Sequence, residues 1–141
     1  MVAVDTNILL DIVLPEQKLA ERSYTLVAYF MKRGPLIICD VVYGELAAVF
    51  HDQELLGRFL QAANIQVVPN STAVLWAAGS AWRAYSQARS AECGNPVGTR
   101  QHIIPDFLIG AHALGNADRL LTRDRGVFQR YFPQLITQAR L

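Results

Sequence analysis

Val2-Ala3-Val4-Asp5-Thr6-Asn7-Ile8-Leu9-Leu10 opens the chain, and its reading decides the fold. Three apolar residues form a short buried strand. Asp5-Thr6-Asn7 ends it, and Ile8-Leu9-Leu10 with Ile12-Val13 starts a helix that Pro15 stops. A strand this short, apolar on both faces and followed at once by a helix, suits a parallel sheet covered on both sides.

The same unit recurs along the chain. Glu16 to Arg33 has helical character, with Leu19, Tyr24, Val27 and Met31 at helical spacing and a Gly34-Pro35 stop. Leu36 to Cys39 is a second strand, and Asp40 reads as the N-cap of a helix through Val42, Leu46, Val49 and Phe50. Another helix covers Asp52 to Ala63, and Ile65 to Val68 is a third strand closed by Pro69. Ser71 to near Glu92 is the longest helix, with Leu75, Trp82 and Tyr85 among its apolar positions. Cys93 to Ile104 reads as a loop. Pro105 opens a helix to Leu114 that Gly115-Asn116 ends. Arg119 to Thr122 is a fourth strand, Val127 to Phe132 a helical turn or two, and Leu135 to Gln138 an edge strand. The alternation predicts one α/β domain over residues 1–141, with about four to five short parallel strands and helices on both faces. Right-handed crossovers would then gather the strand-to-helix loops along one edge.

Composition agrees. A chain of 141 residues is one ordinary domain, able to bury roughly 68–70% of its unfolded surface without disulfides or a structural metal. Hydrophobic residues at 52%, charged residues at 18% and a mean hydropathy of +0.18 exclude a disordered tail and a coiled coil. The net charge of +1 does not by itself point to nucleic acid. The basic residues are nearly all Arg, the exceptions being Lys18 and Lys32, and Arg suits forked contacts to phosphate. Cys39 reads as a small buried hydrophobe and Cys93 as a loop residue. With no CxxC pair for zinc, a reducing cytoplasm is expected. No secretory leader is read at the start. The uncharged stretch from Phe59 to Trp82 contains Gln61, Asn64, Gln66, Pro69, Asn70 and Ser71, so no membrane span is expected.

In an open parallel sheet, ligands bind at the carboxyl ends of the strands. Asp5 directly follows the first strand. Glu45 lies in the helix after the second, Asp106 in the first turn after Pro105, and Asp124 after Leu120-Leu121-Thr122. Four carboxylates from four segments could meet at one edge. Each has a plainer explanation alone. Asp5 could be an N-cap, Glu45 a solvent-facing helix residue, Asp106 a partner of the helix dipole, and Asp124 an ion-pair partner of Arg123 or Arg125. Together they would raise one another's pKa unless a cation neutralised them. Hard oxygen ligands without Cys or His suit Mg²⁺ or Mn²⁺, and a pair of such ions can clamp both oxygens of a phosphodiester displacement. With those four acids set aside, the rest of the chain is positive enough to meet a phosphate backbone.

These segments resemble the PIN-domain family, and within it the VapC-type toxin ribonucleases of bacterial toxin–antitoxin pairs. Val4-Asp5-Thr6-Asn7-Ile8-Leu9-Leu10 is similar to the family's first motif. Val42-Tyr43-Gly44-Glu45-Leu46 is similar to the second, Ile104-Pro105-Asp106-Phe107-Leu108-Ile109-Gly110-Ala111-His112-Ala113 to the third, and Leu121-Thr122-Arg123-Asp124 to the last. The resemblance covers essentially the whole chain. It implies a metal-dependent endoribonuclease with Asp5, Glu45, Asp106 and Asp124 as catalytic, metal-holding acids for Mg²⁺ or Mn²⁺, leaving 5′-phosphate and 3′-hydroxyl ends. It implies a cognate small VapB-type antitoxin and a homodimer as well. Many relatives carry a further acid a few residues beyond the last motif. Here Arg125, Gly126 and Val127 follow Asp124, which implies weaker binding of a second ion.

Thr6, Asn7 and Thr122 are read as residues that orient the acids or the water, with closure of the turn onto the first helix an equal alternative for Thr6 and Asn7. Arg83, Arg89, Arg100 and His102, on or after the long helix, are candidates for gripping RNA phosphates. Asp11 is expected in a helix-surface or packing role, His112 as a packed helix residue, and at least one of Trp76 and Trp82 in the core. Phosphate-chemistry folds that use a strand-end Asp as nucleophile fit poorly: position 7 is Asn, and both Lys lie in the second helix. A silent PIN-like module that binds only RNA or protein, and an RNA-processing nuclease without an antitoxin, are the alternatives. Metal-dependent cleavage separates the silent module from both nucleases.

Overall fold

The computed structural model describes residues 1–14, 17–94, 103–124 and 126–141. Arg100, His102 and most of the expected 93–104 loop lie outside the described residues, as do Pro15 and Arg125. Five strands, β1 (Val2–Val4), β2 (Leu36–Ile38), β3 (Ile65–Val67), β4 (Arg119–Leu121) and β5 (Thr137–Gln138), form one sheet in the order β3-β2-β1-β4-β5. Every pairing is parallel. The helices are α1 (Thr6–Val13), α2 (Gln17–Met31), α3 (Asp40–Ala47), α4 (Gln53–Ala62), α5 (Thr72–Cys93), α6 (Pro105–Asn116) and α7 (Gly126–Tyr131). The α/β reading with a five-strand parallel sheet therefore holds. Among the described residues no helix is long and apolar enough to cross a membrane.

Burial follows position in the sheet. All three residues of β2 are buried, as a strand flanked by neighbours on both sides requires, whereas β3 at the edge exposes Gln66 and Val67. Asn64 takes up the left-handed turn (φ 51°) that leads into β3, a conformation Asn tolerates better than most residues.

Several boundaries move. α3 stops at Ala47, and Phe50 leaves the helix to pack against Phe59 at 5.6 Å. Cys39, not Asp40, is the N-cap of α3. Asp40 is its first residue and accepts a hydrogen bond from Asn70 Nδ2. Cys93 ends α5, and Gly94 closes it in the left-handed conformation (φ 67°). α6 continues through Gly115 to Asn116, whose side-chain amide donates to the His112 carbonyl at 2.9 Å.

Two helices also turn differently from the sequence reading. α2 buries Ser23, Leu26, Val27 and Phe30 but leaves Tyr24 at 64% exposure. α5 buries Val74 and Ala78 and leans Trp82 and Tyr85 on the core, while Leu75 is exposed and Trp76 more so. α5 packs on α6 through its Val74 face, where an added Cβ on Gly115 would stand 3.3 Å from the Val74 side chain, and this face turns Leu75 outward.

Phe107 organises the packing behind the loops. Its fully buried ring meets those of Trp82, Tyr85, Tyr131 and Phe132 at 5.4–6.1 Å. Phe132 in turn presses on Gly110 of α6, where an added Cβ would stand 2.6 Å from the ring. Gly110→Ala should therefore destabilise the fold by about 1–2 kcal/mol, the overpacking cost less the better helix propensity of Ala. Urea unfolding checks this; a variant as stable as the parent would show that the close approach carries no strain.

Candidate active site

The chain lays down β1, β2 and β3 in one direction and returns to place β4 on the other side of β1. The order thus reverses between β1 and β4, and their carboxyl ends border the crevice where such sheets bind ligands. Asp5 is the first residue after β1 and Thr122 the first after β4. The Asp5 amide extends the ladder by donating to the Leu121 carbonyl at 2.9 Å.

Asp5 occupies the N-cap position of α1, yet its side chain makes no capping hydrogen bond. The carboxylate is engaged elsewhere. Its Oδ2 accepts from Thr122 Oγ1 at 2.6 Å and from Asn7 Nδ2 at 2.5 Å. Asn7 is fixed in turn, because its Oδ1 accepts from the Arg123 amide at 3.1 Å. Thr122 Oγ1 also accepts from the Asp124 amide at 3.1 Å. Asp5 is 4% exposed and Thr122 fully buried, so one knot of hydrogen bonds ties the two strand ends together out of water.

The other three acids stand around this knot. Glu45, on α3, is partly buried and accepts a hydrogen bond from Thr6 Oγ1, so it is not a simple solvent-facing helix residue. Asp106 is the second residue of α6 and partly buried. Asp124 is exposed and accepts from the Gly126 amide through Oδ1 at 2.9 Å. Arg123 does not neutralise it; that guanidinium reaches Asp11 at 2.8 Å instead.

Electrostatics joins the four. The Asp5 carboxyl is pushed up to about 6. Burial is the main cause, opposed by the Thr122 hydrogen bond and reinforced by repulsion from Asp106 and Glu45. Asp106 is pushed up by burial, then by Asp124 and Glu45. The helix dipole favours an ionised carboxylate at that position, so desolvation and like charges prevail there. Among the described residues no three or more His, Cys, Asp or Glu side chains are grouped closely enough to hold a metal ion as they stand. The acids are an open cluster, near enough to repel one another. By donor chemistry, four carboxylates with no imidazole or thiolate among them suit a hard divalent cation.

Asp11 takes the packing role and not the helix-surface one. It lies four after Asn7 on α1, but it is 6% exposed and accepts from Ser23 Oγ at 2.6 Å as well as pairing with Arg123. It thereby anchors the Arg123 segment, whose amide orients Asn7. The apolar residues around it were the one available signal. Of the phosphate-gripping candidates, Arg83 and Arg89 are exposed on α5, and Arg89 donates to Tyr85 Oη at 3.1 Å. His112 is 1% exposed, and burial pushes its pKa down, as expected of a packed helix residue.

The sequence from residue 2 to residue 132 matches the PIN-domain model, and the chain belongs to the PIN-domain family. PIN domains are generally nucleases that use divalent metal ions. Among solved structures it is similar to the VapBC2 complex of Rickettsia felis bound to a DNA fragment from its promoter, with a TM-score of 0.62, 21% identity and 98% of each chain covered. It is also similar to FitAcB from Neisseria gonorrhoeae, with a TM-score of 0.61, 17% identity, and 97% of this chain and 96% of the other covered. No curated protein matches the sequence.

The raised Asp5 and Asp106 pKa values make a pH prediction for the metal-free protein. Both groups bind a proton more tightly folded than unfolded. The cost of ionised Asp5 is therefore full above about pH 6, that of Asp106 has the same sign, and both are relieved as the pH falls toward the unfolded value. Buried His112 contributes with the opposite sign, so the useful quantity is a difference between variants. In EDTA at pH 7.5, Asp5→Asn should be more stable than the parent by about 1–3 kcal/mol. The gap should narrow as the pH falls through about 6 and close only below the ordinary carboxyl value of 3.8. A gap that stays constant with pH would show that Asp5 is not strained by its charge.

Proposed function

We propose that this protein is a metal-dependent endoribonuclease and the toxin of a VapBC-type pair, acting in the cytoplasm as a homodimer held in check by a small VapB-type antitoxin. The observation that carries the nuclease reading is the convergence of Asp5, Glu45, Asp106 and Asp124 at the switch point of the sheet, with Asp5 and Asp106 held above their ordinary pKa in part by neighbouring acids. The likeness to VapBC2 supports the toxin reading.

In this reading the four acids hold Mg²⁺ or Mn²⁺. The cation, when bound, lowers the pKa of water and neutralises charge developing on the phosphodiester oxygens. The chain's own part is positional. Thr122 and Asn7 fix Oδ2 of Asp5, Thr6 steadies Glu45, and the Asp124 backbone is held by Thr122. Such hydrogen-bonded supports set the direction of ligand lone pairs, and removing one costs roughly 10–100-fold in metal affinity or activity. Thr122→Val should therefore lower activity more than it disturbs folding.

The deciding experiment is cleavage of total RNA by antitoxin-free protein in Mg²⁺ or Mn²⁺ and in EDTA, beside Asp5→Asn and Asp106→Asn. Discrete fragments with 5′-phosphate ends that vanish in EDTA and in both variants are expected. Identical, metal-independent behaviour of all three proteins would overturn the nuclease reading and leave a binding module on the same fold.

A further inference from the structure

Away from the carboxylates, a cleft of about 230 Å³ lies between α5 and α7, lined by Tyr85, Ala88, Arg89, Glu92, Arg130 and Tyr131. It combines the two features that bind a single nucleic-acid strand: aromatic rings and guanidinium groups. The Tyr85 and Tyr131 rings meet edge to face at 5.4 Å, and both are partly exposed. Tyr85 Oη accepts from Arg89, and Arg130 lies 3.8 Å from Glu92 with both side chains largely in solvent. A loose, solvated pair of that kind holds little energy, so a phosphate can compete for Arg130.

The cleft is also well placed. Tyr85 and Tyr131 both rest on Phe107, the residue that directly follows Asp106. α7 begins two residues after Asp124. One wall, α5, therefore packs against the helix that carries Asp106, and the other, α7, follows the loop that carries Asp124.

We infer that this cleft is a subsite for single-stranded RNA next to the scissile phosphate, with Arg89 and Arg130 on one phosphate and a base against Tyr85 and Tyr131. Glu92 acts as its counterweight, occupying Arg130 when no RNA is bound. The inference rests on the nuclease reading for its substrate, but the cleft is separate from the acids.

Anisotropy of a fluorescein-labelled 12-nucleotide single-stranded RNA tests it, with every variant built on Asp5→Asn to prevent cleavage. Arg89→Gln and Arg130→Gln should each weaken binding about 3–10-fold and flatten the salt dependence. Glu92→Gln should tighten binding about 2–4-fold by removing the competing carboxylate, a change of sign that general loss of structure would not produce. Arg33→Gln, the same charge change at the amino end of β2, is the control and should leave binding as it was. In the cleaving parent, the two Arg variants should raise KM and leave kcat nearly unchanged. Wild-type affinity in both Arg variants, as expected if a protein partner occupies the cleft, would overturn the inference, and so would weaker binding in Glu92→Gln. Failure of the nuclease reading looks different: no metal-dependent cleavage by the parent, whatever the cleft variants bind.

Discussion

A carboxylate that is 4% exposed sits between two strand ends, with no cation of the chain in contact with it among the described residues. That arrangement needs donors that fix Asp5 without discharging it. Thr122 and Asn7 are such donors, since a hydroxyl and an amide bond the carboxylate but carry no charge. Because Thr122 belongs to the end of β4 and Asn7 to the start of α1, the same bonds hold β4 against β1 and aim α1. Arg123, the residue after Thr122, is drawn off by buried Asp11 instead of pairing with Asp5 or Asp124.

Glu45 and Asp106 enter the same field from α3 and α6, the helices that pack on each other and on α1 and β1 respectively. Neither acid makes the sheet more stable by being there. Burial and mutual repulsion raise both Asp5 and Asp106 above the ordinary carboxylate range, a cost that a purely structural site would shed by substitution. Strongly perturbed groups gathered at a topological switch point mark a functional site. On the proposed reading, a bound divalent cation would convert the same repulsion into binding energy.

Much of this was legible in the residues. The strand-acid-helix pattern at Val2 to Leu10 gave the parallel sheet, because an apolar strand and its following helix are local features. The four acids were picked out from the same local pattern: Asp5 and Asp124 follow strands, Asp106 lies in the first turn of a helix, and Glu45 lies within the helix after β2. What sequence could not show was which partner each polar group takes. Asp11 and Arg123 are far apart in the chain, and so are Thr6 and Glu45; only the folded sheet brings them together. The facing of α5 was misread at Leu75 because helical periodicity allows a turn of one residue, and the buried face is the one that sets Val74 on Gly115 of α6. The aromatic cluster around Phe107, and the cleft beside it, depend on α5, α6 and α7 meeting, which no single window contains.

The central claim is that the four carboxylates form a cation site whose charge is otherwise uncompensated. Calorimetric titration with Mn²⁺ in two buffers of different ionisation enthalpy tests it most directly, because it reads metal binding and proton release together. The account predicts binding at pH 7.5 that weakens as the pH falls through about 6 with protons released on binding, and that is lost in Asp5→Asn and in Asp106→Asn. Mn²⁺ binding that ignores pH and survives both substitutions, or no binding by the parent at all, would contradict it.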